Sequence, residues 1–193
     1  MKFRNTAFTL ILALFMCSHI ATAQEVEAEH ANEPTIGLGL QAYPTGFMPG
    51  LQFEHPLSAH GLLHLRVGLN IFDHKDLGKH EEEIGSGYGG SLGYKHFFND
   101  KATKWSLMLK TDVCFNSVDW RDGFDLPSAP EKGTTDITVL QPTLELGYTM
   151  MLTEQLYFTP SAAFGLEWNV QTEGEPTGEG PIVLVGVAFG MKL

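Results

Sequence analysis

A histidine close to a serine is the simplest pair that activates a hydroxyl for acyl transfer. The 193-residue chain carries eight histidines, seven of them after residue 23. None of the seven is followed two positions later by serine. After His30, His55, His60, His64, His74, His80 and His96, that position holds Asn, Leu, Leu, Arg, Asp, Glu and Phe. His74, Asp76 and Ser128 would make a loop trio, but they fall in two separate polar stretches and no spacing ties them together. Metal binding is the second chemistry to weigh. Asp73, His74, Asp76, His80, Glu81, Glu82 and Glu83 offer oxygen and imidazole ligands within 73–83. Their spacing matches neither a calcium loop nor a zinc motif. The stretch reads as a solvated acidic loop, and no metal, cofactor or catalytic residue is expected. Trp120, Phe124 and Leu126 stand among the charges of 119–133, which with 73–83 is the candidate surface for an external ligand.

A different set of charges is more informative. Glu54, Arg66, Lys95, Lys110, Asp112, Glu145 and Glu167 each sit inside a stretch of strict alternation, always on the face opposite the large apolar residues. Successive strand side chains point to opposite faces. The alternation predicts eight strands at 35–43, 49–55, 62–72, 84–98, 104–118, 134–151, 155–170 and 181–193. The third is among the cleanest: Leu63, Leu65, Val67, Leu69 and Ile71 alternate with His64, Arg66, Gly68 and Asn70. Connections at 56–61, 99–103 and 152–154 are turn-like. Those at 73–83, 119–133 and 171–180 are longer and charged, while the first, around 44–48, is short.

Composition bounds the partners. Lys2 and Arg4, an apolar run over 7–16 and Ala21-Thr22-Ala23 read as a secretory signal ending at residue 23. The apolar run is too short to span a bilayer comfortably. Leu14-Phe15-Met16-Cys17 loosely resembles a lipobox, with Met16 where a small residue belongs. Removing 1–23 takes away two bases and no acids, so the net charge moves from −11 to −13. Such an acidic surface argues against nucleic acid as a partner. Cys114 would then be the one remaining cysteine, which excludes an internal disulfide. Residues 24–33, with Glu25, Glu27, Glu29 and Glu33, read as a polar lead-in, and 34–193 as one β domain.

Which face is inside decides the class. The apolar faces carry almost no charge, and the opposite faces carry the seven charges named above. Burying these in an apolar core costs several kcal/mol each, by order of magnitude, unless they are paired. Facing them into a narrow lumen, acid beside base, removes the conflict, and the inward glycines leave room for long side chains. Tyr94, Phe98, Trp105, Tyr148 and Phe158 fall near the turns, and Tyr88, Phe115 and Trp168 toward the loops, as two aromatic girdles. The expected fold is all-β, an eight-stranded antiparallel up-and-down transmembrane β-barrel.

The last stretch carries a family likeness. In 181–193, Val183, Val185, Val187, Phe189, Met191 and Leu193 share one face. Gly186, Phe189, Met191 and Leu193 resemble the C-terminal strand by which outer-membrane β-barrels are recognised for assembly, although that family usually ends in Phe or Trp. From 34 onward the chain resembles small eight-stranded outer-membrane proteins, such as outer-membrane protein X and the barrel domain of outer-membrane protein A. The resemblance implies a Gram-negative outer-membrane location, contact with outer-membrane lipid and insertion by the barrel-assembly machinery. It also implies loops outside the cell and a periplasmic N-terminus. Some such barrels are lipid A deacylases or acyltransferases, whose His-Ser and His-Asp-Ser patterns this chain does not match. The expected role is a non-enzymatic one, structural or in loop-mediated binding. A soluble ligand-binding barrel is the remaining alternative.

Overall fold

The computed structural model describes residues 33–77, 79–99, 103–123 and 131–193. Eight strands form: β1 Thr35–Tyr43, β2 Gly46–Pro56, β3 Gly61–Lys75, β4 Glu82–Phe97, β5 Lys104–Asp122, β6 Glu131–Met151, β7 Leu156–Glu173 and β8 Gly180–Lys192. Each pairs antiparallel with its neighbour in sequence, and β8 returns to β1, closing the barrel. At the seam Leu38 lies opposite Phe189 and Leu40 opposite Val187, so belt residues meet belt residues across the closure. Closure leaves no unpaired sheet edge through the belt, which is what a strand needs in surroundings without water.

The alternation explains the two surfaces. Leu38, Leu51, Val67, Leu69, Tyr88, Leu92, Leu109, Phe164, Val185 and Phe189 all lie exposed on the outside. Their neighbours in sequence point inward and are buried or half-buried. Aromatic pairs mark both rims of this belt. Trp105 packs edge-on to Tyr148 at 5.0 Å and Phe158 against Phe189 at 4.6 Å near the turns. Tyr88 lies 5.6 Å from Phe115 toward the loops.

Several strands are longer than the alternation predicts. β2 begins at Gly46 rather than 49, and β3 runs on to Lys75. The larger difference is at 119–133. β5 continues to Asp122 and β6 starts at Glu131, with pairing from Trp120↔Gly133 to Asp122↔Glu131. Charge and glycine there suggest a loop, but strand pairing with a partner across the hairpin overrides local propensity. Trp120 is therefore a strand residue. Phe124, Leu126 and Ser128 lie outside the described residues, as do residues 1–32 with Cys17 and the predicted signal.

Val67 tests whether the belt meets lipid. It lies 63% exposed amid Leu51, Leu65 and Leu92. In lipid vesicles, Val67→Arg is expected to destabilise the barrel by ~2–4 kcal/mol in a urea titration. A surface facing water would give almost no change.

Candidate functional site

The lumen is built in layers, and β3 sets their order because His64, Arg66, Asn70, Phe72 and His74 point inward one above another toward the loops. Nearest the turns, Gln52 Nε2 donates to the Tyr157 hydroxyl at 3.4 Å, and Thr35 Oγ1 lies 3.2 Å from it. Tyr157 fits because its partner across the strand is Gly190; any Cβ there would strike the phenol ring.

Above this sits the charged layer. Lys95 donates to Glu54, whose same oxygen lies 3.1 Å from His64 Nδ1. Arg66 Nη2 donates to Asp112 Oδ1 at 3.1 Å, and Ser91 also donates to that carboxylate. Lys110 Nζ lies 3.2 Å from Asp112 Oδ2 and 3.8 Å from Glu145. Gln41 joins the two halves. Its carbonyl accepts from Arg66 and from Lys110, both at 2.8 Å, and its amide donates to Glu145 at 2.8 Å. Lys110 and Asp112 are almost wholly buried. The layer holds Arg66, Lys95 and Lys110 against Glu54, Asp112 and Glu145, three charges of each sign. Space for these long side chains comes from small neighbours: a Cβ on Gly93 would come within 2.7 Å of Lys110 Cβ. The free space left beside Gln41, Arg66, Lys95, Lys110 and Ser161 is about 30 Å³, room for roughly one water molecule.

Glu167 does not join this layer. It lies further toward the loops on β7, its charged neighbours are the carboxylates Glu83 and Glu179, and no base pairs with it among the described residues.

Toward the loops the lumen turns apolar, a feature the alternation alone does not reveal. Tyr43 donates to Asn70 at 2.6 Å, and Asn70 donates to Asn116 at 3.3 Å. The Tyr43 ring packs against two buried clusters. One is Phe72, Cys114, Val118, Ile137 and Val139; the other is Met48, Ala163, Ile182 and Leu184. Together they seal the lumen above the charged layer.

Residues 79–81 fold over this seal. His80 stacks on Trp120 with ring centroids 4.3 Å apart and Nδ1 2.6 Å from Asp122. The Glu81 amide donates to Asp122 at 2.8 Å, and Glu83 accepts from the Lys79 and His80 amides. His74 Nε2 lies 3.2 Å from Glu83. His74, taken from sequence as a possible catalytic or metal-ligating residue, is thus one half of a buried imidazole–carboxylate pair. Among the described residues no group of three His, Cys, Asp or Glu is arranged to hold a metal ion.

Sequence reasoning missed His64, Gln41, Gln52 and Tyr157 as members of the lumen network. Their parity on the strands was the available signal.

The chain is therefore a closed eight-stranded antiparallel barrel with an apolar exterior and a filled lumen. No protein-family model and no curated protein matches it. Among solved structures it is similar to small eight-stranded outer-membrane barrels. The N-terminal β-barrel domain of Pseudomonas aeruginosa OprF is 15% identical, over 82% of this chain and 97% of that one, with a TM-score of 0.47. Neisserial surface protein A is 8% identical, over 83% and 95%, with a TM-score of 0.48. The outer membrane protein OprG from Pseudomonas aeruginosa is 13% identical, over 84% and 96%, with a TM-score of 0.44.

Three outcomes follow from the lumen and its cover. Asp112→Asn leaves Arg66 and Lys110 without their shared counter-charge and is expected to cost ~3–5 kcal/mol in denaturant unfolding. Glu167→Gln, which removes a charge facing only other acids, is expected to cost nothing. The cover has a pH dependence. The hydrogen bond from His80, then that from the Glu81 amide, hold the Asp122 carboxyl below its ordinary value. A depressed acid contributes stability above its unfolded value, about 4, and loses it as pH falls through the folded value. Hydrogen exchange at the amides of 79–81 is expected to be slow at neutral pH and to lose its protection below about pH 4.

Proposed function

We propose that the protein is a non-enzymatic outer-membrane β-barrel of a Gram-negative cell that reinforces the envelope or presents its loops to a surface partner. The observation that carries this reading is the inverted distribution of polarity. Leucine, valine and aromatic side chains cover the outside of a closed sheet, and six paired charges fill the inside. That arrangement is stable where the surroundings are apolar, because the exterior gains nothing from water and the backbone needs nothing from it.

The connections support an orientation with the turns in the periplasm. The 57–60 and 152–155 turns are tight, whereas the other end carries Asp73, Asp76, Glu81, Asp122 and Glu175. Short turns on the periplasmic side and charged loops outside are the arrangement that secretion from within would produce. The predicted signal at 1–23 and lead-in at 24–33 fit this route. Phe189, Met191 and Leu193 stand exposed on the outer face near the turn end, with Gly186 on the same strand. They are available there to the barrel-assembly machinery as a recognition strand.

The filled lumen supports a mechanical or binding role rather than transport. Space for about one water, below an apolar seal, leaves no continuous path for a solute. The test is a heated-versus-unheated detergent gel on the outer-membrane fraction, joined to a planar-bilayer recording of the purified protein. The expected result is a mobility shift on boiling, recovery in that fraction and no conductance steps. Recovery as soluble periplasmic protein without a shift would overturn the membrane reading. Regular conductance steps would overturn the sealed lumen.

A further inference from the structure

The loop end of the molecule is acidic almost throughout, yet its few bases are not scattered. After the lumen residues are set aside, the bases beyond the belt on that side are Lys75, Lys79, Arg121 and Lys132. Three of the four lie on one outward-facing row. Lys75 is opposite Glu82, Glu82 opposite Arg121, and Arg121 opposite Lys132. Glu82 is shared between Lys75 Nζ at 2.9 Å and Arg121 Nη1 at 3.7 Å. The two bases hold its carboxyl below the usual range, the hydrogen bond from Lys75 most of all. That uses one acid for three bases. Arg121 and Lys132 are left as like charges directly opposite one another on the same face, which opposes the pairing unless an anion lies between them. The nearest acids on the same face, Asp73 and Asp119, are one row closer to the belt, and Asp119 already accepts a hydrogen bond from Thr134 at 2.6 Å.

Directly below the row the outer surface is concave. A groove of about 680 Å³ is lined by Leu69, Ile71, Tyr88 and Phe115, with Ser86 and Ser117 at its upper end and Asp136 and Glu173 at its far edge. The strands that carry the basic row are those that form its wall. Ile71, Ser86 and Ser117 are four residues from Lys75, Glu82 and Arg121, about 13 Å along the strand. A base row at the level of the headgroups and an apolar groove beneath it match the two ends of one molecule.

We propose that Arg121 and Lys132, with Lys75, form a docking site for a phosphate-bearing lipid of the outer leaflet, whose acyl chain lies in the groove between Leu69, Tyr88 and Phe115. The inference rests on the membrane reading above. The guanidinium and ammonium groups supply charge-assisted hydrogen bonds to the phosphate oxygens. The small side chains Ser86 and Ser117 let the glycerol or sugar part pass close to the wall. The lipid in turn relieves the repulsion between Arg121 and Lys132 and fixes the β5–β6 hairpin against the membrane surface.

The test uses the full barrel folded in detergent and exposed to a diphosphorylated glycolipid or to the same lipid with its phosphates removed. Retained lipid is read by native mass spectrometry. The expected result is retention of the phosphorylated lipid, about tenfold weaker for Arg121→Gln/Lys132→Gln, and unchanged for Lys104→Gln at the turn end. Ser117→Phe, which fills the groove while leaving the bases, is expected to weaken retention as well. Equal retention of the dephosphorylated lipid, or full retention by the double variant, would overturn the site. Loss of the lipid to millimolar inorganic phosphate would also overturn it, by showing a site for the free ion. A barrel that shifts on boiling and inserts into vesicles but shows none of this selectivity would remove the docking site alone. A chain that fails to insert would remove the membrane reading beneath it.

Discussion

Arg66, Lys95 and Lys110 are held inside a tube whose outer wall is leucine and valine, so each must find its counter-charge within the lumen or not fold there at all. An unpaired ion at such a depth costs more than the whole stability of a typical domain can spare. The solution is local neutrality: three bases against three acids, with Gln41 bridging the two halves. Much else is arranged around that. β7, β8 and β1 face the network with Ser161, Gly186, Ala188 and Gly39, which contribute little volume. The long side chains from β2 to β6 reach across the lumen into the space those residues leave. The bulk of one wall and the slightness of the other are two sides of one packing problem.

Neutrality in the middle also frees the two ends to differ. Toward the turns, Tyr157 closes the lumen with a ring and a hydroxyl shared by Thr35 and Gln52. Toward the loops, the filler changes to Phe72, Val118, Ile137, Ile182 and Leu184. Water excluded by this apolar layer keeps the dielectric around Lys110 and Asp112 low, which strengthens their attraction and raises the penalty for losing either. The cover at 79–81 is of another kind. Its contacts are imidazole–carboxylate pairs and backbone amides on Glu83 and Asp122, nearer to water, and one face of His80 lies on Trp120. Local opening is cheapest where polar bonds are few and near solvent, so this segment is where motion is expected to begin, while the charged layer stays fixed.

The barrel was legible because alternation is a local signal: Leu63 to Ile71 declares its two faces without reference to any other strand. Strand ends were less legible. Nothing in 119–133 announces that Trp120 will pair across to Gly133, because that pairing depends on a hairpin partner rather than on propensity. The same limit applies within the lumen. Parity places Glu167 on the inner face with the other six charges, but depth along the barrel depends on register, and register puts Glu167 beside Glu83 and Glu179 instead. His64 and Gln41 carry no motif; His64 gains its partner Glu54 only where β2 meets β3, and Gln41 its partners only where β1 faces β3, β5 and β6 across the lumen. The apolar seal was hidden for a simpler reason. Phe72, Val118 and Ile182 read as ordinary strand residues, and their inward position contradicts the rule of apolar out and polar in only at the loop end.

Register is also where the charged layer has its deepest consequence. A slip of one residue would turn the belt leucines inward and is excluded by the belt alone. A slip of two residues is different. It preserves the parity, leaves the belt apolar and costs the exterior almost nothing. Inside, it would carry Asp112 one step away from Arg66 and Ser91, or Glu54 away from Lys95. Each such shift strands a buried charge. The belt therefore selects the face, and the ion pairs select among the registers that share that face. β7 and β8 contribute no charge to the layer and need another key. The vacancy at Gly190 that admits the Tyr157 ring supplies one, since a two-residue slip there would drive the ring into Ala188 or Lys192. Ion pairs from β2 to β6 and one aromatic ring on β7 thus specify a single alignment from sequence patterns that, strand by strand, would tolerate several.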